Sequence, residues 1–214
     1  MTVSTEERPV TATHDDHEVI RLPRRTIDKV LVGFGLIAAI VFAAAGGLLT
    51  WGANFANDYV YDELSSQNVF FPDEASLEEE GRDDLVEYAD EQVTTGPEAE
   101  AYAGYIGGHL EDIAGGLTYA EIDDRGAAQA VVEAEESGAS EAEIADLQAT
   151  ADELRGQRDS LFRGETLRGL LLSSYAWSTM GRIAGIAAVV AFAGAAVTIA
   201  LVVAGVVHLR RSPS

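Results

Sequence analysis

The sequence has no cysteine, two tryptophans, two methionines and four histidines in 214 residues, and Lys29 is its one lysine. Without cysteine, thiol catalysis and thiolate metal sites are excluded, and any exported part of the chain folds without disulfides. Arginine occurs thirteen times against that single lysine, the bias of a GC-rich coding sequence and not a clue to mechanism. No nucleophile motif, Walker loop or dinucleotide fingerprint is present. Gly33-x-Gly35 lies inside an uncharged apolar run, so it cannot cradle phosphate. No basic patch interleaved with aromatics occurs, and the acidic balance of the chain repels nucleic acid.

What the chain does have is acid, unevenly placed. The formal net charge is −22, from 36 Asp and Glu against 14 Lys and Arg. Between Gly52 and Gly181 stand 30 acids and six arginines, a balance of −24, while the rest holds 6 acids and 8 bases, or +2. The acid is confined between two apolar blocks.

Those blocks, Val30–Thr50 and Ile183–Val207, carry no charge over 21 and 25 residues. At about 1.5 Å per helical residue they reach roughly 31 and 37 Å, enough to cross a hydrocarbon core of about 30 Å. Neither shows the polar stripe of a buried soluble helix of that length. A cleavable signal peptide ending near Phe42-Ala43-Ala44-Ala45 is the other reading of the first block. Its apolar core is too long for that, and it follows 29 mostly polar residues. Arg21, Arg24, Arg25 and Lys29 flank the first block and Arg210 and Arg211 the second, against Arg163, Arg168 and Arg182 on the facing side. The distribution of basic residues therefore predicts both termini in the cytoplasm, and Trp51, Tyr59, Tyr61, Tyr175 and Trp177 suit an outer aromatic belt.

The expected fold class is an all-α membrane protein, two transmembrane helices with a helical extracytoplasmic domain inserted between them. Residues 1–29 form a disordered cytoplasmic tail, 30–50 the first span, 51–182 the acidic outer domain, 183–207 the second span and 208–214 a short cytoplasmic tail. Trp51, Phe55 and Tyr59 recur every four residues, which carries the first helix outward two or three turns until Phe70-Phe71-Pro72 breaks it. A helix over Ser76–Val93 follows, with Leu77, Leu85, Val86 and Tyr88-Ala89 on its apolar side. Thr94–Pro97 makes a turn, with Pro97 at a first helical position. The next helix shows Ala99, Tyr102, Ala103, Ile106, Leu110 and Ile113 as a stripe and stops at Gly115-Gly116. Thr118–Glu121 and Ser140–Glu143 both match a capping box. Ile144, Leu147, Ala151, Leu154 and Leu161 follow an a/d spacing, interrupted by Arg158, that suits antiparallel helix pairing. Residues 125–150, nearly all Ala, Glu, Ser and Gly, read as a mobile or marginal insertion. A helix from about Thr166 past Val207 is expected, with Leu170, Leu171 and Leu172 packed on Phe55, Tyr59 and neighbours on the extension of the first span.

The stretches TWGANFANDYVYDELSSQNVFFP (50–72), EAYAGYIGGHLEDIAGGLTYAE (100–121) and FRGETLRGLLLSSYAWSTMGRIAGIAA (162–188) resemble a family of two-pass membrane proteins of actinobacteria. The resemblance runs from about residue 28 to 210, with 125–150 longer than usual. It implies topology and lineage and carries over no functional residue. Some members bear the label aromatic ring-opening dioxygenase. Non-haem iron of that kind needs two histidines and a carboxylate. By the expected topology only His109 lies outside, with His14, His17 and His208 on the other side, so no such triad assembles.

Other candidates have plain readings. His109 beside Glu111 and Asp112 is half a metal site at most and otherwise a solvated histidine. His14-Asp-Asp-His17 lies in the tail, where nothing fixes its geometry. The runs Glu78–Glu80 with Asp83-Asp84, and Glu133, Glu135 and Glu136, lack the spaced oxygen ligands of a calcium loop and read as solvated faces. Ala43-xxx-Gly47 and Gly181-xxx-Gly185 permit close helix approach. No catalytic, cofactor-binding or metal-ligating residue is assigned, and no cofactor is expected. The function expected is that of a non-enzymatic cell-envelope protein, an interaction or accessory subunit acting through its acidic outer domain. Its partners are membrane lipids and another membrane or envelope protein. The alternative is a homo-oligomeric pore or transporter component, and an enzyme built on scattered carboxylates ranks last.

Overall fold

The computed structural model describes residues 23–211. The expected tail before Pro23, including His14 and His17, and residues 212–214 lie outside them. Among the described residues are five α-helices and one 3-10 helix: α1 Arg24–Ser66, α2 Glu74–Glu79, a 3-10 helix Asp83–Tyr88, α3 Gly96–Ala114, α4 Asp124–Ser137 and α5 Glu141–Arg211. Among the described residues the only β feature is an isolated antiparallel bridge between Phe70 and Gln92.

The prolines explain the lengths. Pro23 precedes α1, Pro72 stands between α1 and α2, Pro97 lies in the first turn of α3, and none occurs from Glu98 to Ser212. Proline breaks helix interiors by removing an amide and clashing with the preceding turn. With no such break, α5 runs unbroken for 71 residues, longer than the expected Thr166–Val207 helix and fused with the a/d segment before it. Helix α1 likewise begins at Arg24, inside the expected tail, and continues to Ser66, well past three outward turns. It stops before Phe70-Phe71-Pro72, at Asn68, whose φ of 53° is left-handed, a conformation asparagine tolerates. The Gln92 amide donates to the Ser65 carbonyl at 2.9 Å, satisfying one of the carbonyls the helix end leaves over.

Both α1 and α5 contain a stretch long and apolar enough to cross a membrane. Only 11% of either stretch is buried within the chain, whereas the core helix of a soluble protein would be mostly covered.

The expected helix over Ser76–Val93 is corrected to α2 and the 3-10 helix. They are separated by Gly81, whose φ of +70° suits a residue without a side chain. Residues 91–93 then run extended beside 69–71, with Phe71 donating to Glu91 and Val93 to Val69, both at 2.9 Å. Leu77, Leu85 and Val93 reach the core from three separate pieces and not from one helical face. Thr118–Glu121 opens no helix. The Glu121 carboxylate accepts from the Thr118 amide at 2.8 Å and hydroxyl at 2.7 Å within a turn, and α4 starts later with Asp123 as its cap. Ser140 does cap α5, accepting from the Glu143 amide at 3.3 Å.

Residues 125–150, expected as a mobile or marginal insertion, lie almost wholly in α4 and the start of α5. Their Ala and Glu are strong helix formers, Val131 and Ala134 of α4 are buried, and Gly138 in the left-handed region turns the chain into α5.

The chain divides into two compact units. Among the described residues, 23–41 and 194–211 make one, and residues 42–193 the other. In the first, Gly35 lies against Val202 and Gly205 against Val32, so α1 and α5 meet through small residues. In the second, Val60, Leu64, Phe71, Leu77, Leu85, Val93, Ala99, Ala103 and Leu171 form the main core, and Leu110, Ala114, Ile122 and Leu161 a second. A side chain at Gly164 would strike Leu110, which lets α3 and α5 approach closely there. Fully burying one leucine of this kind stabilises by roughly 1.5–3 kcal/mol. From the expected α3 stripe, Ala99, Ala103 and Leu110 are buried, while Ile113 stays exposed.

Candidate functional site

Three features of the 42–193 unit carry chemistry: a histidine cluster, an arginine-lined cleft and an apolar groove.

His109 sits one turn beyond Tyr105 on α3, its ring edge-on to Tyr105 at 4.6 Å and its Nδ1 3.3 Å from the Tyr105 carbonyl oxygen. Its nearest carboxylate is Glu80, at 3.9 Å from Nε2, and not Glu111 or Asp112. The Tyr105 hydroxyl donates to the same Glu80 at 3.4 Å. Burial first, then this neighbouring carboxylate, pushes the tyrosine up to about 12. Arg82 forks onto Asp84 with two contacts of 2.9 Å and donates to the Gly104 carbonyl. It holds the Asp84 carboxyl below the usual carboxylate range. Of the five acids at 78–84, Glu80 thus contacts α3 directly and Asp84 is held by Arg82, which itself reaches α3, where the sequence suggested a solvated face. Sequence spacing hides the Glu80–His109 pairing because it joins two elements 29 positions apart. Among the described residues no three His, Asp or Glu side chains converge as metal ligands.

A cleft of about 640 Å³ opens between α3, the 116–120 loop and α5, with Glu111, Glu165 and Arg168 as its charged lining. Arg168 is held by several partners. It grips Glu165 at 2.7 and 2.9 Å, donates to the Ala103 carbonyl at 3.1 Å, and lies on the bare backbone of Gly107. Of the cleft's two hydroxyls, Thr118 donates to Glu121 and Tyr119 accepts from Arg158. The arginine and the Thr118 hydroxyl are thus each paired within the chain, and neither is poised as base or nucleophile.

The groove, about 350 Å³, runs between α1 and α5, with Tyr59, Val69, Leu167, Leu170 and Trp177 on its walls. The expectation that Leu170–Leu172 pack on Phe55, Tyr59 and their neighbours along the extension of the first span holds for Leu171 and is corrected for Leu170 and Leu172. Leu171 alone is buried at 5%, against Val60, Leu64 and the main core, while Leu170 is 63% exposed. Consecutive helical residues point about 100° apart, so three leucines in a row cannot share one face. Trp51, Phe55 and Tyr59 stack on one another at 5.8 and 6.3 Å and stay exposed.

Of the two small-residue pairs, Gly181 lies against Ala53, Ala56 and Asn57, and Gly185 faces Ala53, so this pair marks a close approach of α5 to α1. Gly47 faces open space; its neighbour Gly46, packed on Phe192, takes that role. The hydroxyls of Thr50 and Thr198 donate to their own helix, to the Gly46 carbonyl at 2.8 Å and the Gly194 carbonyl at 2.7 Å. Compared with known protein families, curated proteins and solved structures, the chain matches none.

Proposed function

We propose that this is a two-span protein of the cell envelope, with both termini in the cytoplasm and the acidic helical domain outside. On this reading it acts without catalysis, as an interaction or accessory subunit that receives another envelope protein. The actinobacterial two-pass family it resembles belongs to the same proposal. The observation that carries the reading is the groove, where Tyr59, Leu170 and Trp177 stay unburied on a domain that has a proper core. Exposed contiguous apolar surface rimmed by polar residues, here Glu63, Gln67 and Ser173, marks interaction sites. The Arg168–Glu165 pair and the bonded Thr118 hydroxyl leave the larger cleft without an activated nucleophile, which favours this over an enzyme. The self-bonded hydroxyls of Thr50 and Thr198 give a polar conduction path no support.

The test is proximity labelling in native membranes from an enzyme inserted at the Gly138–Ser140 turn. A small, reproducible set of envelope proteins should be labelled, and Leu170→Asp should remove members of that set. Labelling of bulk abundant proteins alone, unchanged by Leu170→Asp, contradicts the reading.

A further inference from the structure

Seven arginines lie between the two apolar blocks. Five are in ion pairs: Arg82 with Asp84, Arg155 with Asp152, Arg158 with Asp124, Arg163 with Asp159 and Arg168 with Glu165. Arg125 acts electrostatically on Asp124. Arg182 has neither an ion pair nor a hydrogen bond among the described residues. In a segment so rich in acid, an uncommitted guanidinium needs an explanation.

Arg182 lines a recess of about 310 Å³ together with Asn57 of α1, Pro97 of α3 and Tyr175, Ser178 and Thr179 of α5. No carboxylate lines it, although thirty acids surround it in sequence. The lining is rich in donors: one guanidinium, one amide and three hydroxyls. A second observation is independent of the arginine. The Thr179 Oγ1 is buried and has no hydrogen-bond partner. Helical threonines ordinarily donate to the carbonyl four residues back, as Thr50 and Thr198 do, and an orphaned buried hydroxyl destabilises the fold. The bare Cα of Gly181 draws α1 close, with the Asn57 Oδ1 3.1 Å from where a β-carbon would stand. That approach sets the amide beside the turn bearing Thr179 and Arg182.

Position narrows the occupant. Arg182 directly precedes the uncharged run that begins at Ile183, and Asn57 lies seven residues beyond Thr50, roughly 10 Å along the helix. If the two apolar runs span a membrane, which is the reading this inference rests on, the recess is level with the outer headgroups. A fork of guanidinium donors with neighbouring hydroxyls suits a tetrahedral, acceptor-only anion. We infer that Arg182, Asn57 and Thr179 bind the phosphodiester of an anionic phospholipid in the outer leaflet. The contact holds an otherwise repelled acidic domain against the membrane surface.

The test uses the full chain in a mild nonionic detergent, with thermal unfolding followed during titration of phosphatidylglycerol, of a diacylglycerol lacking phosphate, and of inorganic phosphate. Wild type is compared with Arg182→Gln, Thr179→Val and Arg163→Gln. Phosphatidylglycerol should raise the unfolding temperature of wild type and of Arg163→Gln alike, and diacylglycerol should not. Arg182→Gln should need at least tenfold more lipid for the same shift. Thr179→Val should weaken the lipid response while leaving the lipid-free protein at least as stable, since it deletes an unpartnered hydroxyl. Equal lipid responses in wild type, Arg182→Gln and Thr179→Val overturn the site, and an equal response to diacylglycerol overturns the phosphate's part. An equal response to inorganic phosphate at matched concentration overturns the lipid assignment in favour of a free-anion site. A wild type that stays in the high-speed supernatant of lysed cells without detergent defeats the membrane reading itself, a result separable from any of these.

Discussion

The guanidinium carbon of Arg158 lies 4.6 Å from the ring centre of Tyr119, and the same side chain donates to the Tyr119 hydroxyl at 3.2 Å and to Asp124. One residue of α5 thereby fastens both the loop after α3 and the first turn of α4. In the sequence Arg158 is merely the residue that interrupts an a/d run. In the fold it anchors a segment whose Ala- and Glu-rich composition supplies few apolar contacts.

Arg158→Gln should therefore speed amide hydrogen exchange across 124–137 and leave the middle of α3 unchanged. Arg158→Lys should fall between them, since an ammonium keeps the charge but loses the planar fork. Equal protection of α4 in all three proteins would remove the anchor.

The neighbouring leucines offer a sharper contrast. Leu171→Ala should destabilise the 42–193 unit by about 2–5 kcal/mol, the range for emptying a buried leucine site. Leu170→Ala, at an exposed position, should stay within about 0.5 kcal/mol. Chemical denaturation in detergent, followed by tryptophan fluorescence, reads both. Similar losses for the two would mean that the groove is closed and Leu170 buried.

How far the sequence was legible follows from which physical signals are local. Uncharged length alone identifies the two membrane-length helices, and helical periodicity finds the buried face of α3 through Ala99, Ala103 and Leu110. Local capping chemistry was readable at Ser140. At Thr118 the same pattern closed a turn instead, because Asp123 is the better-placed cap. The box that does open α3, Thr95 with Glu98, carries the same four-residue signature, overlaid by the helix-start signal of Pro97. The broken 74–88 region misled because Leu77 and Leu85 mimic a helical stripe while Gly81 permits a reversal that only tertiary packing selects. The recess at Arg182 was invisible, since Asn57, Thr179 and Arg182 come from two helices more than a hundred residues apart.

The Thr95–Glu98 box also predicts a pH dependence. Burial raises the Glu98 carboxyl, but donation from the Thr94 and Thr95 amides and hydroxyls outweighs it, so the folded pKa lies below the ordinary value. A depressed carboxylate pKa contributes stability that is present above the unfolded pKa and lost as pH falls through the folded one. Glu98→Gln should thus be less stable than wild type at pH 7, and the difference should shrink as pH drops below about 4. Unfolding midpoints measured from pH 7 to pH 3 test this; a constant difference would contradict it.

The central claim is that the chain crosses the membrane twice with its acidic domain outside. Single cysteines at Ser140 and at Ser212, in a chain that has no other thiol, report each side without background. An impermeant thiol reagent applied to whole cells should label Ser140→Cys and spare Ser212→Cys, which should react only after the cells are opened. Labelling of Ser212→Cys in intact cells, or protection of Ser140→Cys there, would contradict the account.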